Sequence, residues 1–221
     1  MRDKGWYQVN VPRFLTAVPL LIASGINRGD ALEIGPGPGY LGLEWLRDTN
    51  GTTLTGLDIS PNMIEIAKHN AAEYELTERV RYLLADASDM PFENDQFDCV
   101  FSSASLHEWA QPKLIMNEIA RVLKPDGSYY ITDLRRCMSN LWKWVVWFLA
   151  RPKEVRPYFI ASVNESYMIK DVKNILRDTQ LRNSSVSKAL YGLAIKGQKI
   201  LPAPKNPFNS SNTTFKTTEI M

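Results

Sequence analysis

The sequence is poor in cysteine, holding only Cys99 and Cys137 in 221 residues. Two thiols so far apart make neither a disulfide framework nor a zinc-ligand pattern, and Cys99, inside an apolar run, reads as a small buried hydrophobe. An excess of one charge is missing too. Lys and Arg number 26 against 24 Asp and Glu, a formal net charge of +2, so no basic field points to nucleic acid. The opening residues MRDKGWYQVN hold no signal-peptide apolar core, and a reducing, cytoplasmic setting is the expectation. Internal repeats are absent. What remains is ordinary globular composition, 44% hydrophobic and 23% charged. The length suits one α/β domain with a sizeable core and is too short for two.

Apolar runs alternate with helical patterns. Strand candidates are 31–34, Thr53–Asp58, Val80–Leu84, 97–102 and 128–133. Each is short and apolar with little alternation, as parallel strands covered on both faces should be. Between them, Ser60 and Pro61 form a helix start, an N-cap followed by proline at the first helical position. Met63, Ile66, Ala67, Asn70 and Ala71 mark the stripe that follows. A second helix is expected over about 112–123, with Leu114, Ile115, Ile119 and Val122 on one side. It should end in a type I turn at Lys124, Pro125, Asp126 and Gly127. Such alternation predicts a doubly wound parallel sheet, whose ligands bind beyond the carboxyl ends of the strands.

After Asp133 the pattern changes. NLWKWVVWFLARPKEVRPYF carries three tryptophans within six residues. Segments 182–187 and 190–196 then read as a closing antiparallel hairpin around Lys188. From Pro202 the chain is rich in Pro, Ser, Thr and Asn with few apolar residues, the composition of a disordered tail. The expected organisation is one domain over 1–201, with an N-terminal cap at 1–29 and a lid or substrate insertion at 135–180, followed by a tail at 202–221.

The first strand candidate opens the stretch ALEIGPGPGYLGLEW, with glycines at 35, 37 and 39. A dinucleotide fingerprint needs glycine at position 40, where Tyr40 stands. The Walker pattern fails as well, since no Gly-Lys-Ser/Thr follows. What stands is acid-x-Gly-x-Gly-x-Gly, led by Glu33. An acid beside the loop is a poor neighbour for pyrophosphate and a good one for a cationic ligand. Asp58, at the end of the second strand, can accept both hydroxyls of a ribose. Asp86, in LLADASDMPF, can accept from an adenine amine, with Asp89 the competing choice. These acids and the bare loop describe a nucleoside with a positively charged appendage and no phosphate.

At this point the chain resembles the class I S-adenosylmethionine-dependent methyltransferases, above all the small-molecule branch of the ubiquinone/menaquinone-biosynthesis type. The resemblance rests on LEIGPGPG, GLDISPNMIEIAKHNA, ADASDMPFENDQFDCVFSSASLHEW and EIARVLKPDGSYYITD, covering about residues 30–134. It implies a Rossmann-like methyltransferase fold: a doubly wound, mostly parallel seven-stranded sheet with a helical lid between strands 5 and 6 and a C-terminal antiparallel hairpin. It also implies S-adenosyl-L-methionine as cofactor, a small and partly apolar methyl acceptor, and no metal. Gly35, Gly37 and Gly39 then let the backbone approach the methionine part, and Asp58 holds the ribose. Asp86, with Ala87, meets the adenine amine. Ile59 and Met63 wall the adenine, although Met63 serves equally as helix packing. Ser102 and Ser103 line the methionine and sulfonium or cap a loop. Tyr7, beside Trp6, donates to the methionine carboxylate or anchors the surface. His107, in SSASLHEW, faces the transfer site as a general base or orients its surroundings, and Glu108 is the alternative base.

In the tryptophan-rich stretch 141–149, Leu141, Val145, Phe148 and Leu149 recur at helical spacing beside Trp144 and Trp147. A helix apolar almost all round is buried somewhere, and this one is too short to span a bilayer. It can pack as a lid that walls the acceptor pocket, form a homodimer face, or make peripheral membrane contact. Arg135, Arg136, Arg151, Lys153 and Arg156 flank it, suiting an anionic substrate, lipid head groups or simple solvation. Rival functions are methyl transfer to a protein or RNA, and a cofactor-binding partner subunit without catalysis. The Asn/Asp-Pro-Pro-Tyr/Phe motif of resembling base-methylating enzymes is missing, and two cysteines are too few for arsenite chemistry.

Overall fold

The computed structural model describes residues 18–137, 147–148, 156–189 and 192–199. Seven strands form one sheet: β1 (Asp30–Ile34), β2 (Thr53–Asp58), β3 (Val80–Leu84), β4 (Phe97–Ser103), β5 (Leu123–Leu134), β6 (Ser185–Lys188) and β7 (Gly192–Gln198). Their order is β3-β2-β1-β4-β5-β7-β6. The first five pair in parallel, and β7 pairs antiparallel with both β5 and β6. The described helices are α1 (Val18–Ala23), α2 (Tyr40–Asp48), α3 (Pro61–Glu73), α4 (Pro112–Val122), α5 (Arg156–Glu165) and α6 (Ile169–Arg177). The expected sheet is therefore present, and the order reverses between β1 and β4, where a ligand crevice opens.

Continuous apolar strands feed both faces. Ala31, Cys99, Phe101 and Tyr130 pack with Val18 and Leu21 of α1 and with Trp45 and Leu46 of α2. Their strand neighbours Leu32, Val100 and Ile131 pack on the opposite face with Ile115, Met116 and Ile119 of α4 and with Val172 and Leu176 of α6. Successive side chains of a strand point to opposite faces, so two buried faces require apolar residues at every position. Helix α3 starts as expected: Pro61 is in its first turn and the Ser60 hydroxyl accepts from the Met63 N–H. Cys99 is buried and Cys137 exposed, both as free thiols.

Two local expectations are corrected. The turn expected at Lys124 to Gly127 lies inside β5, which begins directly after α4. Phe97 pairs with Leu123 and Cys99 with Ser128, so the four residues between bulge opposite Asp98, with Asp126 at φ 61°. Lys199 captures this bulge: its carbonyl accepts from Asp126 N–H (3.1 Å) and its N–H donates to Gly127 (2.8 Å). Ala189 and Gly192 exchange backbone bonds of 3.0 and 3.3 Å, and Lys188, the expected centre of the hairpin, is the last residue of β6. Gly192 fixes this register, because a Cβ there would overlap the Asp133 carbonyl of β5. In the expected lid, α6 packs into the core, while 138–146 and 149–155 lie outside the described residues. So do the N-terminal segment with Trp6 and Tyr7, and the tail 202–221.

Candidate cofactor and acceptor site

The glycine loop leaves β1 with Gly35, Gly37 and Gly39 at φ 64°, 52° and 81°, values that L side chains rarely adopt. Gly37 is open, with nothing within 4 Å of a Cβ built on it, whereas a Cβ at Gly35 would overlap the Ser105 hydroxyl. Asp58 ties the loop to β2: one carboxylate oxygen accepts from the Gly37 N–H (3.1 Å), the other from the Ser60 N–H (2.9 Å). The carboxylate is thereby oriented at the strand end before any ligand arrives.

A cavity of about 460 Å³ opens beside this loop. Gly35, Gly37 and Pro38 form one wall, and Asp58, Ile59, Ser60 and Met63 form the next. Ala85 to Ser88 supply a third, while Ala104, Ser105, Glu108 to Gln111 and Ile115 close the far side. Seven of the cofactor residues singled out from sequence thus meet here, Gly35, Gly37, Asp58, Ile59, Met63, Asp86 and Ala87, together with the alternative base Glu108. Ile59 is 72% exposed, an apolar side chain at the mouth. The Ser88 N–H donates to Asp86 (2.8 Å), and hydrogen bonds from Ser88 hold the Asp86 carboxyl below the usual range.

The remaining candidates sit elsewhere. Gly39 caps the start of α2 and abuts the Tyr82 hydroxyl. Ser102 donates to the Ile34 carbonyl (2.8 Å) and Ser103 bonds Thr132 (3.1 Å). Both serines remain within β4, which runs one residue further than expected. Ala104, at φ 54°, then turns the chain so that Ser105 reaches the cavity. Tyr7 lies outside the described residues.

Glu33 turns away from the cavity into the core, 2% exposed, and its Oε2 has no hydrogen-bond partner among the described residues. Burial, helped by the nearby charge of Asp58 and opposed by a bond from the Gly42 N–H, pushes its carboxyl up to about 8.

His107 occupies a single 3₁₀ turn, Leu106–Glu108. Its Nδ1 lies 2.9 and 3.1 Å from the two carboxylate oxygens of Asp133, and its backbone N–H donates to the same group (2.6 Å). Both side chains are buried, 3% and 1% exposed. The bond to Asp133 raises the imidazole above its ordinary value against the opposing effect of burial, and the charges of Asp133, Glu108 and Glu165 raise it further. Nε2 stands 3.9 Å from Glu108, whose side chain is 73% exposed and on the cavity wall. His107 itself does not line the cavity.

Sequence reasoning passed over Ser105, Trp109, Gln111 and Ile115. Trp109 donates through Nε1 to the Ser105 hydroxyl (2.8 Å), which in turn fills the space that Gly35 leaves. The only sequence signal for this trio was the Ser-x-x-x-Trp spacing within SSASLHEW. Among the described residues no group of three or more His, Cys, Asp or Glu side chains is placed to hold a metal. No described helix is long and apolar enough to cross a membrane.

The donor set fits an adenosine that carries a cationic arm. Acids stand at the ends of β2 and β3, and the loop is open at Gly37.

Comparison with known proteins agrees. Residues 32–131 match the family described as a methyltransferase domain. The chain is 38% identical over 103 residues to the sterol 4-C-methyltransferase strm-1 of Caenorhabditis elegans, covering 47% of this chain and 30% of that protein. It is 30% identical over 113 residues to the demethylmenaquinone methyltransferase of Porphyromonas gingivalis, covering 51% and 46%. The chain spans less than half the length of either relative. A solved methyltransferase structure from Aquifex aeolicus shares the fold, with TM-score 0.64 at 19% identity over 82% of this chain and 88% of that one. Loop, strand-end acids and family match coincide on the same hundred residues, and over that stretch the chain is similar to a methyltransferase domain.

Proposed function

We propose that the protein transfers a methyl group from S-adenosyl-L-methionine to a small, partly apolar acceptor by in-line displacement. The observation that carries this reading is the continuity of one cavity from the Gly37–Asp58–Asp86 side to the Glu108–Trp109–Ile115 side. The cofactor supplies an electrophilic methyl on a sulfonium; everything else is placement, and placement alone is a large part of such a rate. Asp58 holds the ribose, Asp86 with Ala87 the adenine amine, and Ile59 and Met63 the ring faces. Gly35 and Gly37 admit the methionine part, Gly39 starts α2 behind them, Tyr7 donates to the methionine carboxylate, and Ser102 and Ser103 support the strand beneath.

The acceptor lies against Trp109 and Ile115. Two relatives act, by their names, on demethylmenaquinone and on a sterol, and acceptors of that apolar kind suit these walls. Trp147 and Phe148, 38% and 51% exposed, belong to the stretch that covers this side or meets a second copy or a membrane surface. Cysteine usage supports a cytoplasmic setting. Of the two roles open to His107, its burial and its bond to Asp133 support the orienting one. Glu108 then stands where a protic nucleophile would give up its proton.

Calorimetry with S-adenosylmethionine, S-adenosylhomocysteine and NAD tests the cofactor reading, with binding of the first two and none of the third expected. A panel of quinols, phenols, amines and thiols with labelled methyl donor then identifies the acceptor. With it in hand, Glu108→Gln lowers turnover by roughly 10²–10⁴-fold at neutral pH and less at high pH, leaving cofactor affinity unchanged. NAD binding without S-adenosylmethionine binding overturns the reading.

A further inference from the structure

Glu33 of β1, Gly56 of β2 and Tyr82 of β3 are register partners, so they stand in one row across the sheet. The middle member has no side chain, and the Tyr82 ring fills the space above it. Glu33 and Tyr82 therefore end in the same buried region, 2% and 8% exposed, on the face covered by α2 and α3. Three glycines keep that region clear. A Cβ at Gly42 would overlap Glu33 Oε2, one at Gly39 would overlap the Tyr82 hydroxyl, and one at Gly56 would overlap the Tyr82 ring. Yet neither Glu33 Oε2 nor the Tyr82 hydroxyl has a partner among the described residues.

A carboxyl enclosed this way cannot hold a charge unaided, because burial removes the water that would solvate it. Among the described residues, few groups face it. Asp58 on β2 repels a second negative charge, Tyr82 on β3 is a neutral hydroxyl, and α2 offers one backbone N–H, that of Gly42. Burial accordingly pushes the carboxyl up to about 8. The glycine loop begins two residues further on and rests, through Gly39, on Tyr82.

On the cofactor reading above, a ligand with an ammonium and a sulfonium settles on this loop. We propose that Glu33 is neutral in the free protein and releases its proton to solvent when those cations seat, so that cofactor binding and proton release are one event. No other bond is made or broken: the carboxylic acid becomes a carboxylate and the buffer takes the proton. The carboxylate is then balanced by the cofactor's charge, with the Tyr82 hydroxyl as an O–H donor in the same region.

The test is calorimetry of S-adenosylmethionine binding at pH 7 in two buffers of different ionisation enthalpy. Wild type should release roughly 0.5–1 proton per cofactor bound, and its affinity should rise by up to about tenfold per pH unit between pH 6 and 8. Glu33→Gln should release none and lose that pH dependence. Its residual proton exchange reports the cofactor's own amine, whose exchange on binding is an uptake and has the opposite sign. A merely structural Glu33 would change affinity equally at every pH and leave the proton count alone.

Should the variant fail to fold, infrared difference spectra of wild type answer the same question. The protonated-carboxyl C=O band should disappear as S-adenosylmethionine is added. Binding with a buffer-independent heat, or an unchanged proton count in Glu33→Gln, overturns this inference alone. Absence of S-adenosylmethionine binding at every pH overturns the cofactor reading and this inference with it.

Discussion

Two acids are buried at carboxyl ends of the central strands, and they are treated in opposite ways. Asp133, at the end of β5, receives the backbone N–H groups of His107 and Leu134 and the imidazole of His107. Glu33, at the end of β1, receives among the described residues the Gly42 N–H and keeps one oxygen unpartnered. Their burial is alike, 5% and 2% exposed. Depth therefore does not separate them; the number of donors does. The β5 end is a finished structural clamp that fixes the turn carrying Glu108. The β1 end is incomplete, and a cationic ligand on the loop above would complete it.

Breaking the finished side should have the largest effect. Asp133→Ala leaves a buried imidazole and two N–H groups without an acceptor and should cost about 3–5 kcal/mol in denaturant unfolding, the range for breaking a buried pair. The pH dependence has a definite sign. His107 is raised above 6.5 in the folded protein, so its bond to Asp133 stabilises fully below about pH 6.5 and fades as pH rises through the folded value. The defect of the variant should accordingly shrink above neutral pH. A defect independent of pH would mean that the backbone bonds alone hold the turn.

Next comes the charge that links the unfinished side to the cavity. Asp58→Ala should weaken S-adenosylmethionine binding by about 1.5–3 kcal/mol, as loss of hydrogen bonds to a charged group does, with the fold intact. An unchanged dissociation constant would remove Asp58 from the site. The variant should also lower the Glu33 carboxyl, since Asp58 is one cause of its elevation.

Glu33 itself should show a pH dependence of the same sign in the free protein, but with its variant gaining stability where Asp133→Ala loses it. Its folded value of about 8 lies above the ordinary 4.5. Its contribution is thus full below about pH 4.5 and declines as pH rises through about 8. Melts without cofactor should show Glu33→Gln gaining on wild type towards pH 9, by about 1–3 kcal/mol, the scale of an unsatisfied buried polar group. Equal slopes in both proteins would sink the contrast between the two acids.

The smallest effect is expected far from both acids. Removing 202–221 should leave cofactor affinity unchanged, because that composition buries too little apolar surface to offset ordering. A lower melting temperature after truncation would show that Phe208 or Phe215 docks on the domain.

Several of these features were legible in the chain before it folded. Strands β2 and β3 have the bounds that their apolar runs indicate; β2, covered on both faces, carries its signal at nearly every residue. The start of α3 was equally plain, because an N-cap and a first-turn proline act within four residues. Asp58 and Asp86 could be placed on the cavity side because they stand at the carboxyl ends of β2 and β3. The extension of β4 to Ser103 was not legible. Only the pairing of Ser103 with Thr132 carries the strand one residue past Ser102, and that ladder joins residues far apart in sequence.

Sequence alone determined the alternation of strands and helices, the bare loop at Gly35 to Gly39 and the order of the strand-end acids, because periodicity, turn chemistry and backbone freedom are local. The tertiary structure decided which acids line the cavity and which face core. It sent Glu33 inward against Gly42 and Tyr82, clamped His107 to Asp133 and brought Ser105 and Trp109 to the cavity. It also drew the residues at 124–127 into a strand through Lys199. Those outcomes depend on contacts between distant segments, whose free energy exists only once the sheet is assembled and water is excluded.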